Sequence, residues 1–420
     1  MPQRFNIDKK IISLVEESEE QLTRVFKVVD KISEHNQYKV IDAFQKCNIG
    51  AHHFAQSTGY GYSDIGREAL GRVFAHTVKA QSAVVSPHIA SGTHAITLAL
   101  FALLRPLDTL ISVTGRLYDT LNSVIGSEKG ADTGSLADFA IKYKQVELTS
   151  DGDIDYENVI KTIEKCDKPK ALFIQRSRGY EWRKALSNQQ IKEFTQKLKS
   201  VYPDIIVIVD NCYGEFCETS EPLEAGADLI AGSLIKNPGG GIAPTGGYVA
   251  GRADLVELVE NRLTSPGLGA QVGSYEASYR PFFQGLYYAP HVVGQALKGS
   301  ILCAKVFETL GYEVFPTSLA SRSDITQSIR LNSEKLLLAY TKGIQKAAAI
   351  DSRAVPIPDD MPGYDDKIVM AAGTFVQGAS IELSADAPIK PPYIVYAQGA
   401  LTYPHMKLGL MMALSEMGII

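Results

Sequence analysis

The sequence predicts an α/β fold: a mostly parallel central sheet with helices on both faces, followed by a smaller C-terminal α+β domain. Three observations predict it. Short apolar runs, among them Thr109–Val113, Ala171–Gln175 and Ile205–Asp210, alternate with amphipathic stretches of helical length. Polar and glycine-rich clusters follow directly after those runs, where open sheets bind ligands. Beyond Pro290 the texture changes to a long helix and then to strand-like runs grouped near the end.

Residues 8–47 read as helix, because Ile11, Val15, Leu22, Val25, Val29 and Ile32 recur at helical spacing with no Pro or Gly before Gly50. A glycine–tyrosine loop, Gly59–Arg67, comes next, and a helix over Arg67–Ala80. Ala83–Val85 begins a strand that runs into Ser91-Gly92-Thr93 and the helix Ile96–Leu104, stopped by Pro106. Thr109–Val113, Lys144–Thr149, Ala171–Gln175, Ile205–Asp210, Asp228–Gly232 and Gly247–Ala250 are predicted strands. Tyr156–Cys166 and Gln189–Ser200 are predicted helices. In the last third, Val292–Leu310, Asp324–Ala349 and His405–Glu416 read as helical. Tyr312–Phe315, Val369–Val376, Ser380–Leu383 and Tyr393–Ala397 read as strands. The expected organisation is an N-terminal helical segment (1–58), a large ligand-binding domain (59–290) and a small C-terminal domain (291–420).

Composition narrows the class. A net charge of −5 leaves no basic footprint for nucleic acid. No apolar run approaches the roughly 18 residues that cross a membrane, and the polar N-terminus MPQRFNIDKK lacks a signal-peptide core. Five cysteines at no regular spacing point to reduced thiols and a cytoplasmic protein.

The chemistry gathers around Ala227–Gly247. There Ser233-Leu234-Ile235-Lys236 ends an apolar run and opens a glycine- and proline-rich turn. Asp210 ends the preceding strand, 26 residues earlier. A carboxylate and a lysine, each at a strand end, are what pyridoxal phosphate needs. The amine forms a Schiff base with the aldehyde, and the carboxylate keeps the ring nitrogen protonated. Ser91-Gly92-Thr93, at a helix N-terminus, offers free N–H groups and hydroxyls to a phosphate; the same residues also suit a plain N-cap. Tyr118 lies where a strand gives way to a helix.

Several stretches together resemble fold-type I pyridoxal phosphate enzymes of the Cys/Met-metabolism branch. They are QRSRGYEWR, GSLIKNPGGGIAPTGGY, GTFVQGASIELSADAP and YAQGALTYPHMKLG. More narrowly, the chain resembles the bacterial aluminium resistance, or cystathionine β-lyase-like, proteins. The resemblance implies a pyridoxal-phosphate-dependent transferase-like fold. Ser91 and Gly92 match the phosphate loop, and Leu117-Tyr118-Asp119-Thr120 matches the motif whose tyrosine stacks on the ring. Val209-Asp210-Asn211 matches the aspartate motif, and Ser233 to Lys236 match the lysine motif with Ile235 in place of threonine. Two departures stand out. The branch's Tyr-Ser-Arg, lent by a neighbouring subunit to the phosphate, is Tyr62-Ser63-Asp64 here, which leaves Tyr62 to reach across and Arg67 to supply the charge. The C-terminal arginine that holds a substrate carboxylate has no counterpart; Arg178 is either its substitute or half of a structural ion pair.

What the resemblance implies is a carbon–sulfur lyase acting by β- or γ-elimination on cystathionine, cysteine or methionine. Lys236 and Tyr118 would be catalytic, in a homodimer or homotetramer with shared sites. Another pyridoxal phosphate reaction on an amino acid, by an aldolase or aminotransferase, is the nearest alternative. A non-enzymatic metal-tolerance protein is a more distant one.

Overall fold

The structure, a computed structural model, describes residues 5–126 and 133–420. The apolar runs of the first two thirds form one sheet of β1 (Ser82–Ser86), β2 (Thr109–Ser112), β3 (Lys142–Gln145), β4 (Pro169–Gln175), β5 (Ile206–Asp210), β6 (Leu229–Ser233) and β7 (Gly247–Gly251). Its order is β1-β7-β6-β5-β4-β2-β3. β2 to β6 run parallel, while β7 is antiparallel to both of its neighbours. Strand alternation divides the core. Ile206 and Ile208 point to the face that carries Ile96, Leu100 and Val256, and Val207 and Val209 point to the face that carries Val159, Ile191 and Leu198. Apolar burial on both sides explains why these strands read as continuous apolar runs.

The covering helices follow from the same patterning. α1 (Lys9–Glu20) and α2 (Thr23–Lys46) come first. They form where one continuous helix was expected: the chain bends at Gln21-Leu22, the Thr23 hydroxyl bonds the Glu20 carbonyl, and Leu22 becomes fully buried. α3 (Ile65–Val78), α4 (Gly92–Leu103), α5 (Asp119–Ile125), α6 (Tyr156–Glu164), α7 (Asn188–Val201) and α8 (Ala253–Leu263) complete the layers around the large sheet.

α9 (Arg280–Thr309) begins ten residues before Pro290 and carries that proline inside it, so the change of texture there is no element boundary. The last third holds a second, antiparallel sheet. It is built of β8 (Glu313–Phe315), β9 (Gln327–Arg330), β10 (Ile368–Ala371), β11 (Ser384–Pro388) and β12 (Ile394–Gln398), in the order β10-β11-β12-β9-β8. α10 (Glu334–Ala347) and α11 (Tyr403–Met417) back it. Two expectations change here. β9 occupies the start of the stretch read as helix, since its buried Gln327 and Ser328 hide the apolar alternation. Ser380–Leu383 is a turn, fixed by the Glu382 carboxylate accepting from the Phe375 and Val376 N–H groups, and the strand starts at Ser384.

Candidate active site

Lys236 follows the end of β6 by three residues and opens a tight turn over Asn237–Gly239. The turn is wedged against α9. Gly240 has φ +53°, and a Cβ on Gly285 would come to 2.3 Å from the Gly239 carbonyl oxygen. Backbone thus rests on backbone, which only glycine allows. From below, the Asn237 amide donates to the Glu215 carbonyl at 3.0 Å.

The Lys236 amine lies 4.2 Å from the centre of the Tyr213 ring. Tyr213 adopts a left-handed backbone (φ +71°), strain that aims its ring under the amine. Its hydroxyl shares a 2.9 Å hydrogen bond with Ser380 Oγ of the small domain. Burial alone would push the Lys236 amine down. Cys212, Tyr213, Asp210 and Glu215 around it outweigh that and hold it above its ordinary value.

Asp210 ends β5, and its carboxylate accepts from the Cys212 N–H at 3.0 Å. Burial raises its carboxyl from the ordinary value; Lys236 and the Cys212 N–H pull the other way without overcoming it. A cationic ring nitrogen is the opposing charge that this carboxylate lacks.

Ser91 caps α4, its Oγ accepting from the His94 N–H at 3.1 Å. Gly92 lies so close to the end of β6 that a Cβ there would meet Cys212 Sγ at 3.1 Å and Ser233 Cβ at 3.4 Å. The bare backbone and the dipole end of α4 form a cradle of a kind that suits an anion. Thr93 pairs its hydroxyl with Thr120 at 3.1 Å, and buried Ser233 accepts from the Ile235 N–H at 3.4 Å.

Tyr118 is held by its own N–H, which donates to Gln175 Oε1 at 2.7 Å. Its ring packs with Tyr180 and Tyr364 at centroid distances of 5.9 and 5.7 Å, and its hydroxyl touches that of Tyr364. Asp386, on β11, hydrogen-bonds the Gln398 amide at 2.9 Å and acts electrostatically on Lys236, Tyr118, Tyr180, Tyr213 and Tyr364.

The structure thus brings together Lys236, Asp210, Ser233, Ser91, Gly92, Thr93 and Tyr118. It adds Tyr180, Tyr213, Tyr364, Ser380 and Asp386, to which sequence reasoning gave no role. Tyr180 and Tyr213 had a signal, since each lies just past a strand end. Ser380 and Asp386 lie in GTFVQGASIELSADAP, which carried the resemblance but named no role for them, and Tyr364 had no signal.

Arg178 resolves as a structural ion pair. It is 1% exposed, pairs with Asp324 at 3.3 Å and donates to the Phe315 carbonyl at 2.6 Å, so a substrate carboxylate would have to displace Asp324. Tyr62 and Arg67 do not join the Lys236 cluster of their own chain. Tyr62 is exposed beside Tyr60, and their loop packs on Gly273 and Ser274. Arg67 spends one nitrogen on the carbonyls of Gly61 and Gly273. Asp64 caps α3 and accepts from the Tyr279 hydroxyl at 2.8 Å. A cavity of about 830 Å³ lies beside this loop, between Arg67, His76, His88 and Glu260, and not at Lys236.

The Lys236 cluster fits pyridoxal 5′-phosphate. The backbone at Gly92 would take a phosphate, the buried Asp210 carboxylate would take a protonated ring nitrogen, and Lys236, electrostatically coupled to Asp210, would supply the amine.

The methionine gamma-lyase family profile matches residues 11–418. A carbon–sulfur lyase involved in aluminium resistance from Clostridium novyi NT is 48% identical, with a TM-score of 0.94 over 98% of this chain and 97% of that one. The protein YnbB of Bacillus subtilis, itself uncharacterised, is 46% identical over 96% of this chain and 95% of its own length. The pyridoxal-5′-phosphate-dependent protein YhfS of Escherichia coli, at 15% identity and a TM-score of 0.62 over 93% of this chain and 97% of its own, shares the fold. With this match, on a fold-type I scaffold whose strand ends converge on one lysine, the chain belongs to the methionine gamma-lyase family.

Proposed function

We propose that the protein is a pyridoxal 5′-phosphate-dependent carbon–sulfur lyase that releases a thiol from a sulfur-containing amino acid by β- or γ-elimination. Cystathionine, cysteine and methionine are the first substrates to test. One observation carries the reading: the Lys236 amine stands over the Tyr213 ring at the strand ends where the Asp210 carboxylate and the Gly92 cradle meet. Family membership supports it.

Pyridoxal phosphate supplies a sink for the electrons left at Cα when its proton departs. The remaining work falls to side chains. Ser91 and the first N–H groups of α4 would hold the phosphate, and Asp210 would keep the proton on the ring nitrogen. Lys236 would tether the ring and, once displaced by substrate, its amine would take the Cα proton. For γ-elimination the same amine would also move a Cβ proton. Tyr118 would pack against the ring. Burial pushes its phenol well above the ordinary value, so it stays protonated at neutral pH and can donate to the departing sulfur. General acid help of this kind contributes about 10²–10⁴-fold.

We further propose a homodimer or homotetramer with shared sites. Tyr60 and Tyr62 are 73% and 62% exposed, and Arg67 Nε and Nη2 are buried with no partner among the described residues. A second copy that receives this loop would gain Tyr62 near its phosphate. Among the described residues, no helix is long and apolar enough to cross a membrane. Five unpaired cysteines support a cytoplasmic location.

The test is an assay of purified holoprotein for thiol, ammonia and 2-keto acid release from the three amino acids. Release from at least one is expected. Lys236→Ala should abolish it, together with the pyridoxyl label that borohydride fixes on the chain. Transfer of the amino group to an added keto acid, without thiol from any sulfur amino acid, would overturn the reading in favour of an aminotransferase.

A further inference from the structure

The wall near Lys236 built jointly by the large sheet's loops and the C-terminal third is acidic and phenolic. Asp386 reaches it from β11, with the Gln398 amide at 2.9 Å and Tyr396 opposite it in the ladder. Tyr118, Tyr180 and Tyr364 stand around it, with centroids 5.7–5.9 Å apart. Burial raises the phenols of Tyr118, Tyr180 and Tyr364 above their ordinary values, so the three rings are neutral at neutral pH.

The basic side chains bordering this wall are already committed. Arg116 bridges Asp119 and Asp365. Arg178 pairs with Asp324, and Lys390 with Asp366. Arg183 donates to the carbonyls of Gln175, Ser177 and Lys184. Lys236 is reserved for the cofactor. A half-buried carboxylate without a dedicated cation among the described residues repels an anionic substituent and attracts a cationic one. Aromatic faces add to that attraction.

We propose that Asp386 and the rings of Tyr118, Tyr180 and Tyr364 form a subsite for a positively charged group on the substrate side chain. The substrates selected are then sulfur amino acids whose sulfur substituent carries a protonated amine. This assignment rests on the carbon–sulfur lyase reading of the same site. Asp386 is its charged element, and the tyrosines are its desolvating walls.

The experiment compares S-(2-aminoethyl)-L-cysteine with its neutral isostere S-propyl-L-cysteine on the holoenzyme, following pyruvate and thiol. The ratio of their kcat/KM values is expected to favour the amine by at least tenfold in the native protein and to fall toward one in Asp386→Asn. Equal use of the two, or a preference for the propyl compound in the native protein, overturns the assignment, as does a ratio unchanged by Asp386→Asn. Binding of two ligands that lack the α-amino group, 3-(2-aminoethylthio)propanoate and 3-(propylthio)propanoate, is measured alongside by calorimetry. Tighter binding of the amine by the native holoprotein supports the subsite whether or not turnover is seen, and equal or weaker binding refutes it. Selective binding of the amine with no thiol or 2-keto acid from either cysteine thioether, nor from cystathionine, cysteine or methionine, would sink the lyase reading and leave the cation subsite standing.

Discussion

Glu215 sits behind Lys236 and is 1% exposed. Its Oε1 accepts from the Tyr248 hydroxyl at 2.6 Å, and its Oε2 is buried without a partner among the described residues. Burial pushes its carboxyl up to about 8, against the bond from Tyr248. The folded protein therefore holds a proton there that the unfolded chain gives up from about pH 4.5. Where the native state binds more protons, stability falls as pH rises. The thermal midpoint is expected to drop between about pH 4.5 and 8 through this residue, and Glu215→Gln should flatten that part of the profile. Identical slopes in both proteins would show that Glu215 titrates normally. At this scale the sequence was readable wherever a residue's task depends on its own strand end. Lys236, Asp210 and Ser91 were singled out that way, and the structure places them just past a strand, at a strand end and at the start of α4. Arg178 was not, because the partner that decides its role, Asp324, lies 146 positions away. Asp386 lies in a stretch that carried the resemblance, but its task, like that of Tyr364, depends on how the C-terminal third packs against the large sheet, and no local pattern shows that.

Helix α9 shows how an element distant from the chemistry sets its geometry. Gly285 lets the helix touch the turn that carries Lys236, and the helix then runs on past Pro290 into the small domain. Gly285→Ala would force a Cβ to within 2.3 Å of the Gly239 carbonyl, so the turn or the helix must yield. Overpacking of this kind costs about 1–3 kcal/mol. The expected result is a lowered thermal midpoint together with weaker retention of pyridoxal phosphate on dialysis. Native-like retention with lowered stability would mean that the turn holds and the helix moves. Alternating apolar runs announced the large sheet, but the break between α1 and α2 and the strand β9 escaped notice. Both depend on tertiary partners: Leu22 is drawn into the core, and β9 carries polar residues that are buried by its neighbours in the sheet.

For the whole molecule the open question is what covers the Tyr60–Tyr62 loop and the 830 Å³ cavity beside it. Closed two-fold assemblies are the commonest solution. Chains carrying Tyr62→Phe and chains carrying Lys236→Ala, each inactive alone, should regain part of the activity when mixed and re-associated, because one hybrid site is intact. Verified heterodimers without activity would place every site within one chain.

The split of the site between two sheets also bears on biosynthesis. Ser91, Tyr118, Asp210 and Lys236 are all made within the first 236 residues, whereas Tyr364, Ser380 and Asp386 come from the last 57. During translation the anchoring half therefore leaves the ribosome well before the half that closes over it. A nascent chain arrested near residue 330 would carry its reactive amine with no wall in front of it. Access to that amine by a small aldehyde reagent thus becomes a clock for completion of the polypeptide, wider while the chain grows and narrower once the final strands have docked.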